Sequence, residues 1–207
     1  MKRGSWVGMV SMLVPLALGI AGCLEVMLAI QSERCRVASL ALDALDPEVS
    51  LRARIRMQVG GRDVGFDAIA ERRGGPLQLV GLAPTGTRLF ALTQEAKAIV
   101  FAEAMEGAMK SLATMTLDAL RRGLWIEAPP GQRGFSHGGE TVWEGEEGGI
   151  RRRNFQFSST FGDNRPNAAD VSIEYRPNPV RDGVTGFEIQ NSSCGYEAVV
   201  ILLEPPA

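Results

Sequence analysis

A chain of 207 residues with 22 Lys and Arg against 24 Asp and Glu is close to charge balance, and lacks the basic excess that nucleic-acid binding calls for. Its 24 glycines and 11 prolines supply many turns, a composition suited to a mostly β domain. One histidine and three cysteines leave few ways to build a metal centre or a nucleophile–base pair.

The chain opens with Lys2 and Arg3, then an apolar run from Trp6 to Ile20 that closes on Ile20-Ala21-Gly22-Cys23. A basic start, an apolar stretch and small residues before a cut are the parts of an export signal. The ending resembles the lipobox of bacterial lipoproteins. That resemblance implies a signal peptide over residues 1–22, lipid attached to Cys23, and a mature chain of one domain over 23–207. A competing reading takes Trp6 to Ile30 as an uncleaved membrane helix, since roughly 20 apolar residues suffice to span a bilayer. Pro15 and Glu25 count against it. Either way the bulk of the chain lies outside the cytoplasm, because Lys2 and Arg3 hold the N-terminus inside. With Cys23 taken by lipid, Cys35 and Cys194 remain as an even pair in an oxidising compartment, read as a disulfide, with two inert buried thiols as the alternative.

Val37 to Leu45 carries Val37, Leu40, Ala41, Ala44 and Leu45 on one stripe and predicts a short amphipathic helix. Asp46-Pro47 ends it, because the residue before proline is pushed out of the helical region. From Val49 the period drops to two. Val49, Leu51, Ala53, Ile55 and Met57 alternate with Ser50, Arg52, Arg54, Arg56 and Gln58, a strand with one apolar face and one basic, wet face. Turns at Gly60-Gly61-Arg62-Asp63, Arg73-Gly74-Gly75-Pro76 and Pro84-Thr85-Gly86 separate further strands at Val64–Glu71, Leu77–Ala83 and Thr87–Thr93. Connections this short join antiparallel neighbours, so the segment is a meander.

Lys97 to Ala102 fits a fifth strand or the first turn of a helix running on through Met105, Met109, Leu112 and Leu120. Gly107 argues against one continuous helix, so we read a strand to Ala102 and a helix from Ser111 to Arg122. Gly123 and Pro129-Pro130 end it, and Pro129 to Gly149 reads as a long loop with a short strand near Thr141–Glu144. Strands return at Ile150–Ser159, Asp170–Tyr175, Thr185–Gln190 and Tyr196–Glu204, with Asp182-Gly183 as a hairpin signal.

Catalytic signals are sparse. His137 sits in a Gly-rich stretch beside Ser136, too near in sequence to be its partner, and no Gly-x-Ser-x-Gly elbow is present. Glu144, Glu146 and Glu147 read as an exposed acidic loop rather than metal ligands. Arg151-Arg152-Arg153, with Arg52, Arg54 and Arg56, reads as a solvated strand face, or as a surface for anionic lipid headgroups. The expectation is no enzyme activity, no metal and no cofactor.

About nine strands each offer an apolar face, yet only two short helices are there to cover them. Either the sheet closes on itself or it curls around a cavity, for which a helix carrying Met105, Met109 and Met115 would be a pliable cover. On the alternation, Phe66, Leu79, Phe90, Ile173, Tyr175 and Phe187 face that cavity and Leu112 and Leu120 lie over it. In order of elements, and in the stretches Leu77-Gln78-Leu79-Val80-Gly81-Leu82-Ala83-Pro84-Thr85-Gly86-Thr87-Arg88-Leu89-Phe90-Ala91-Leu92, Phe187-Glu188-Ile189-Gln190-Asn191 and Gly195-Tyr196-Glu197-Ala198-Val199-Val200-Ile201, the chain resembles the LolA/LolB superfamily of lipoprotein carriers, and within it LolB-like outer-membrane lipoproteins.

The resemblance covers nearly the whole mature chain, through short structural motifs. It implies a mainly β fold, a curved antiparallel sheet forming an incomplete barrel plugged by α-helices. It further implies a non-enzymatic carrier that binds the acyl chains of a lipid or lipoprotein in an apolar cavity and exchanges them with a periplasmic carrier protein. No segment matches the exposed hydrophobic loop with which LolB works on membranes, which favours a lipid-binding relative. The alternative is a structural or interaction lipoprotein whose core is filled by its own side chains. Leu24 after Cys23 lacks the aspartate that retains enterobacterial lipoproteins at the inner membrane, so the expected place is the outer membrane, lipid-anchored and facing the periplasm. Cys23→Ala should abolish incorporation of labelled palmitate and leave an uncut precursor; equal labelling of the variant contradicts the anchor.

Overall fold

The computed structural model describes residues 38, 42–96, 98–102, 105–157, 170–177 and 184–203. The expected signal peptide, the alternative Trp6–Ile30 helix, Cys23 and Cys35 lie outside them.

Strict alternation from Glu48 onward becomes β structure. Strand β1 (Glu48–Val59) buries Leu51, Ala53, Ile55 and Met57 completely or nearly so, while Arg52, Arg54 and Arg56 stand in solvent on the other face. Gly60 and Gly61, both at positive φ (56° and 76°), make the two-residue turn into β2 (Arg62–Arg73). Two successive left-handed residues match the twist of the flanking strands, and glycine reaches them without steric cost. Strands β3 (Leu77–Leu82), β4 (Arg88–Glu95) and β5 (Ala98–Phe101) complete a first meander. Within the stretch Lys97–Ala102, residues Ala98–Phe101 thus take the strand of its two readings.

Helix α1 (Gly107–Leu120) follows, continued by a π-helical turn, Arg121–Trp125. The helix starts at Gly107, four residues before the expected Ser111. Glycine at the first helical position does not interrupt a ladder that has yet to form, so its usual helix penalty is small there. Ten of its fourteen residues are buried, from Ala108 to Leu120, so it is a core helix rather than a one-faced surface one. Ser111, Thr114 and Thr116 hydroxyls donate to the carbonyls of Gly107, Lys110 and Leu112, one turn back along the helix.

The stretch read as a long loop over Pro129–Gly149 is instead largely a hairpin, β6 (Gly134–His137) and β7 (Glu140–Glu147). Its Gly-Gly turn at 138–139 and the packing of Gly134 under the Trp143 ring were concealed by a composition typical of loops. A Cβ on Gly134 would come within 2.7 Å of that ring. Strands β8 (Ile150–Phe157), β9 (Val171–Pro177), β10 (Val184–Asn191) and β11 (Tyr196–Leu202) follow. The Asp182-Gly183 hairpin signal lies outside the described residues, as do residues 37 and 39–41 of the expected Val37–Leu45 helix; within its described part Leu42–Ala44 forms a 3-10 turn.

All eleven strands form one antiparallel sheet in the order β5-β4-β3-β2-β1-β11-β10-β9-β8-β7-β6. The first meander moves outward from β1 to β5. The chain then passes through α1 to the opposite edge, and the second meander returns from β6 to β11. Strand β11 pairs with β1, Val200 opposite Ile55, so both halves meet at the centre of the sheet. Strands β5 and β6 are the two edges, and the sheet is an incomplete barrel with α1 against its inner face. The chain turning after α1 rests on β10: a Cβ on Gly123 would lie 2.2 Å from the Phe187 ring, so only glycine lets this backbone approach so closely.

Candidate functional site

The eight residues read from the sequence as cavity-facing do converge. Phe66, Leu79, Phe90, Ile173, Tyr175 and Phe187 lie on the inner face of the sheet, Leu112 and Leu120 lie on α1, and none exceeds 6% exposure. Phe66 and Phe90 meet edge-on at 5.6 Å between ring centroids, and Tyr175 and Phe187 lie 6.2 Å apart. They belong to one contiguous packed core with Met115 and Ala113 of α1.

Within that core sits a charged lock that sequence reading did not single out. Asp118 has no solvent exposure and accepts four hydrogen bonds. The Ala38 N–H (2.7 Å) and Arg122 Nε (2.9 Å) donate to Oδ1, while Asn191 Nδ2 (2.9 Å) and the Tyr196 hydroxyl (2.8 Å) donate to Oδ2. Arg122, also at zero exposure, sets its two remaining nitrogens on Glu140 in a bidentate fork, each at 2.8 Å. Its guanidinium stacks 4.7 Å from the Phe155 ring centroid. Burial opposes the charge on Arg122, but the Glu140 hydrogen bonds and the charges of Asp118 and Glu140 raise its pKa above the ordinary value. Burial drives Tyr196 well above the usual tyrosine range, helped by the Asp118 charge. The neighbouring Arg121, whose Nη1 donates to the Ala38 carbonyl, is lowered to about 10 by burial, against the pull of Asp118. The signal available in the sequence was the i,i+4 spacing of Asp118 and Arg122 at the end of a helix that carries no other acidic residue.

Arg153 corrects the reading of the arginine run as a solvated face. It is 2% exposed and points inward, its Nη1 donating to the carbonyls of Arg122 and Ile126 and its Nη2 to Glu144 at 2.9 Å. Period two puts Arg153 on the same face as Phe155, so its direction was legible. Arg151 also pairs with Glu144, and Arg152 with Glu147 and Glu174. The expected acidic loop is therefore β7, with Glu144 partnered and its pKa lowered by Arg153 and Arg151 although burial works the other way.

Cys194 is disulfide-bonded, and its N–H donates to Asn191 Oδ1 at 2.9 Å, one step from Asp118. His137 is a half-buried strand residue on β6 rather than part of a loop. Among the described residues no group of three or more His, Cys, Asp or Glu is placed to hold a metal ion.

Beside the end of α1 is a cleft of about 630 Å³. Leu45, Val49 and Leu51 line one side, and Leu124, Trp125 and Ile126 of the π-turn and its exit line the other. Asp46, Glu48, Glu127 and His137 stand around it. Its volume is that of an ordinary small-molecule pocket, about 300–1,000 Å³.

A family profile described as protein of unknown function (DUF3261) matches residues 50–198. The chain belongs to that family. The DUF3261 match begins in β1 and ends in β11, so it takes in both meanders, α1 and the Asp118–Arg122–Glu140 lock. No curated protein matches the chain. Among solved structures, an outer membrane lipoprotein-sorting protein domain from Vibrio parahaemolyticus, so described, is similar at 10% identity and a TM-score of 0.32, over 87% of this chain and 92% of that one. A DUF1329 family protein from Desulfovibrio piger is similar at 10% identity and a TM-score of 0.27, over 89% of this chain and 91% of that one. Likenesses at this level carry no weight for function.

Asp118→Ala should be among the most destabilising substitutions in this DUF3261 chain. It strands the Arg122 charge and leaves Asn191 and Tyr196 without their acceptor, a loss on the order of 3–5 kcal/mol. Denaturant titration should show the midpoint falling at unchanged slope; a change below about 0.5 kcal/mol, the ordinary size for surface sites, would contradict the lock.

Proposed function

We propose that this chain is a non-enzymatic, lipid-anchored carrier that takes the acyl chain of a lipid or lipoprotein, held by Cys23 at the outer membrane and facing the periplasm. One observation carries the reading. An open sheet turns its whole apolar face inward with a single α-helix among the described residues to cover it, and an apolar-lined cleft of about 630 Å³ remains where that helix ends. In this reading the cleft admits the chain end between Leu45, Val49 and Leu51 on one side and Leu124, Trp125 and Ile126 on the other. The Cys35–Cys194 pairing belongs to the same proposal, as a staple between the N-terminal segment and the β10–β11 turn.

A second reading has its own support. The eight core residues are already packed against α1, as in a structural or interaction lipoprotein that fills its own interior. The cleft separates the two. A neutral naphthylamine probe should bind the full chain, and Leu124→Glu, at a half-buried cleft position, should weaken that binding about tenfold or more while the denaturation midpoint moves little. Phe90→Leu, remote in the packed core, should cost about 1 kcal/mol of stability. A wild-type chain that binds no probe, or a Leu124→Glu chain that binds it equally well, supports the self-filled reading instead.

A further inference from the structure

Several acids on the solvent face of the sheet are paired with arginine. Asp67 meets Arg54, Asp63 meets Arg56, Glu174 meets Arg152 and Glu188 meets Arg176. The rim of the 630 Å³ cleft breaks that pattern. Asp46, Glu48 and Glu127 are all exposed there, and none of them has an ion-pair partner among the described residues. Asp46 is held in place, because its Oδ1 accepts the Glu48 N–H at 2.9 Å. No lysine or arginine among the described residues lines the cleft. Arg72 lies behind the loop, its Nη1 donating to the carbonyls of Leu42 and Leu45 at 2.6 Å and of Asp46 at 3.1 Å. It fixes the loop through backbone carbonyls, and Arg73, opposite Glu48 in the β1–β2 register, pairs with Glu71 at 3.9 Å.

We infer that the cleft selects a single-chain amphiphile with a positively charged, ammonium-type head: the tail lies between Leu45, Val49 and Leu51 on one wall and Leu124, Trp125 and Ile126 on the other, and the head stays at the rim formed by Asp46, Glu48 and Glu127. This rests on the carrier reading and adds the charge of the cargo's head. A tail drawn into the cleft leaves its head group among three carboxylates, still wet. An ammonium is attracted there, whereas a fatty-acid carboxylate meets like charge and loses on entry what its tail gains. Trp125 adds a π-face at the wall on which an alkylammonium can rest. Each exposed charge contributes little alone; three of one sign around one opening act together and weaken with added salt.

The test uses the full-length protein in phosphatidylcholine nanodiscs and three photoactivatable dodecyl amphiphiles that differ only in the head: trimethylammonium, carboxylate or neutral glycerol. Labelling of the peptides spanning 45–51 and 124–127 is read by mass spectrometry and normalised to each probe's partition into empty nanodiscs. The expected result is labelling by the neutral probe and about tenfold stronger labelling by the ammonium probe than by the carboxylate. The double variant Glu48→Gln, Glu127→Gln, at two exposed positions, should bring the two charged probes to within about threefold and leave the neutral probe unchanged. If the neutral probe labels the cleft but ammonium and carboxylate label it equally, the head-group inference is overturned while the carrier reading stands. If none of the three labels the cleft, the carrier reading fails and takes this inference with it.

Discussion

A carboxylate removed from water must be met by donors, and Asp118 draws its four from four different parts of the chain: the segment before β1, the start of the π-turn, the end of β10 and the start of β11. The rest of the architecture depends on that convergence. Helix α1 is the link between the two meanders, and apolar packing alone would let it slide along a smooth inner face. Directional bonds to Asn191 and Tyr196, and through Arg122 to Glu140, fix its register against β10, β11 and β7 together. Such a network gives limited net stability against an apolar equivalent, but every alternative placement of α1 leaves buried charges unanswered.

The second constraint is the open sheet. Eleven strands in one layer expose one apolar face, and the edges β5 and β6 do not pair to close it. Covering that face from the inside takes α1, the π-turn after it and the segment around Leu45. The π-turn matters because an extra residue per turn re-aims the chain just where Gly123 must pass over Phe187 and where the Ile126 carbonyl meets Arg153. Past that point no further helix among the described residues covers the face. The cleft between Leu124–Ile126 and Leu45–Leu51 lies there, and the acids on its rim, Asp46, Glu48 and Glu127, have no ion-pair partner among the described residues.

How much of this was legible follows from which forces leave a periodic trace. The β1 alternation was read to within one residue at each end because Leu51, Ala53, Ile55 and Met57 are buried while the intervening arginines are wet. The inward set Phe66, Leu79, Phe90, Ile173, Tyr175 and Phe187 followed from the same period. Strand β6 escaped because Gly134-Phe135-Ser136-His137 is too short to show a period and its glycine is selected by a tryptophan on the next strand, a contact no local window contains. Arg153, Glu140 and Asp118 escaped for another reason. Ionisable residues read as surface, and only their mutual pairing makes burial tolerable. The cleft could not be read at all, since it joins Glu48 to Glu127 across the fold.

The carrier account stands or falls on whether an acyl chain occupies this protein. Native mass spectrometry of the full-length chain, purified gently from cells that make it, tests this most directly. The account predicts a single non-covalent amphiphile per chain, retained on gentle activation. A wild-type chain that emerges ligand-free under conditions that keep it folded would contradict it, and would leave a chain whose interior belongs to its own side chains.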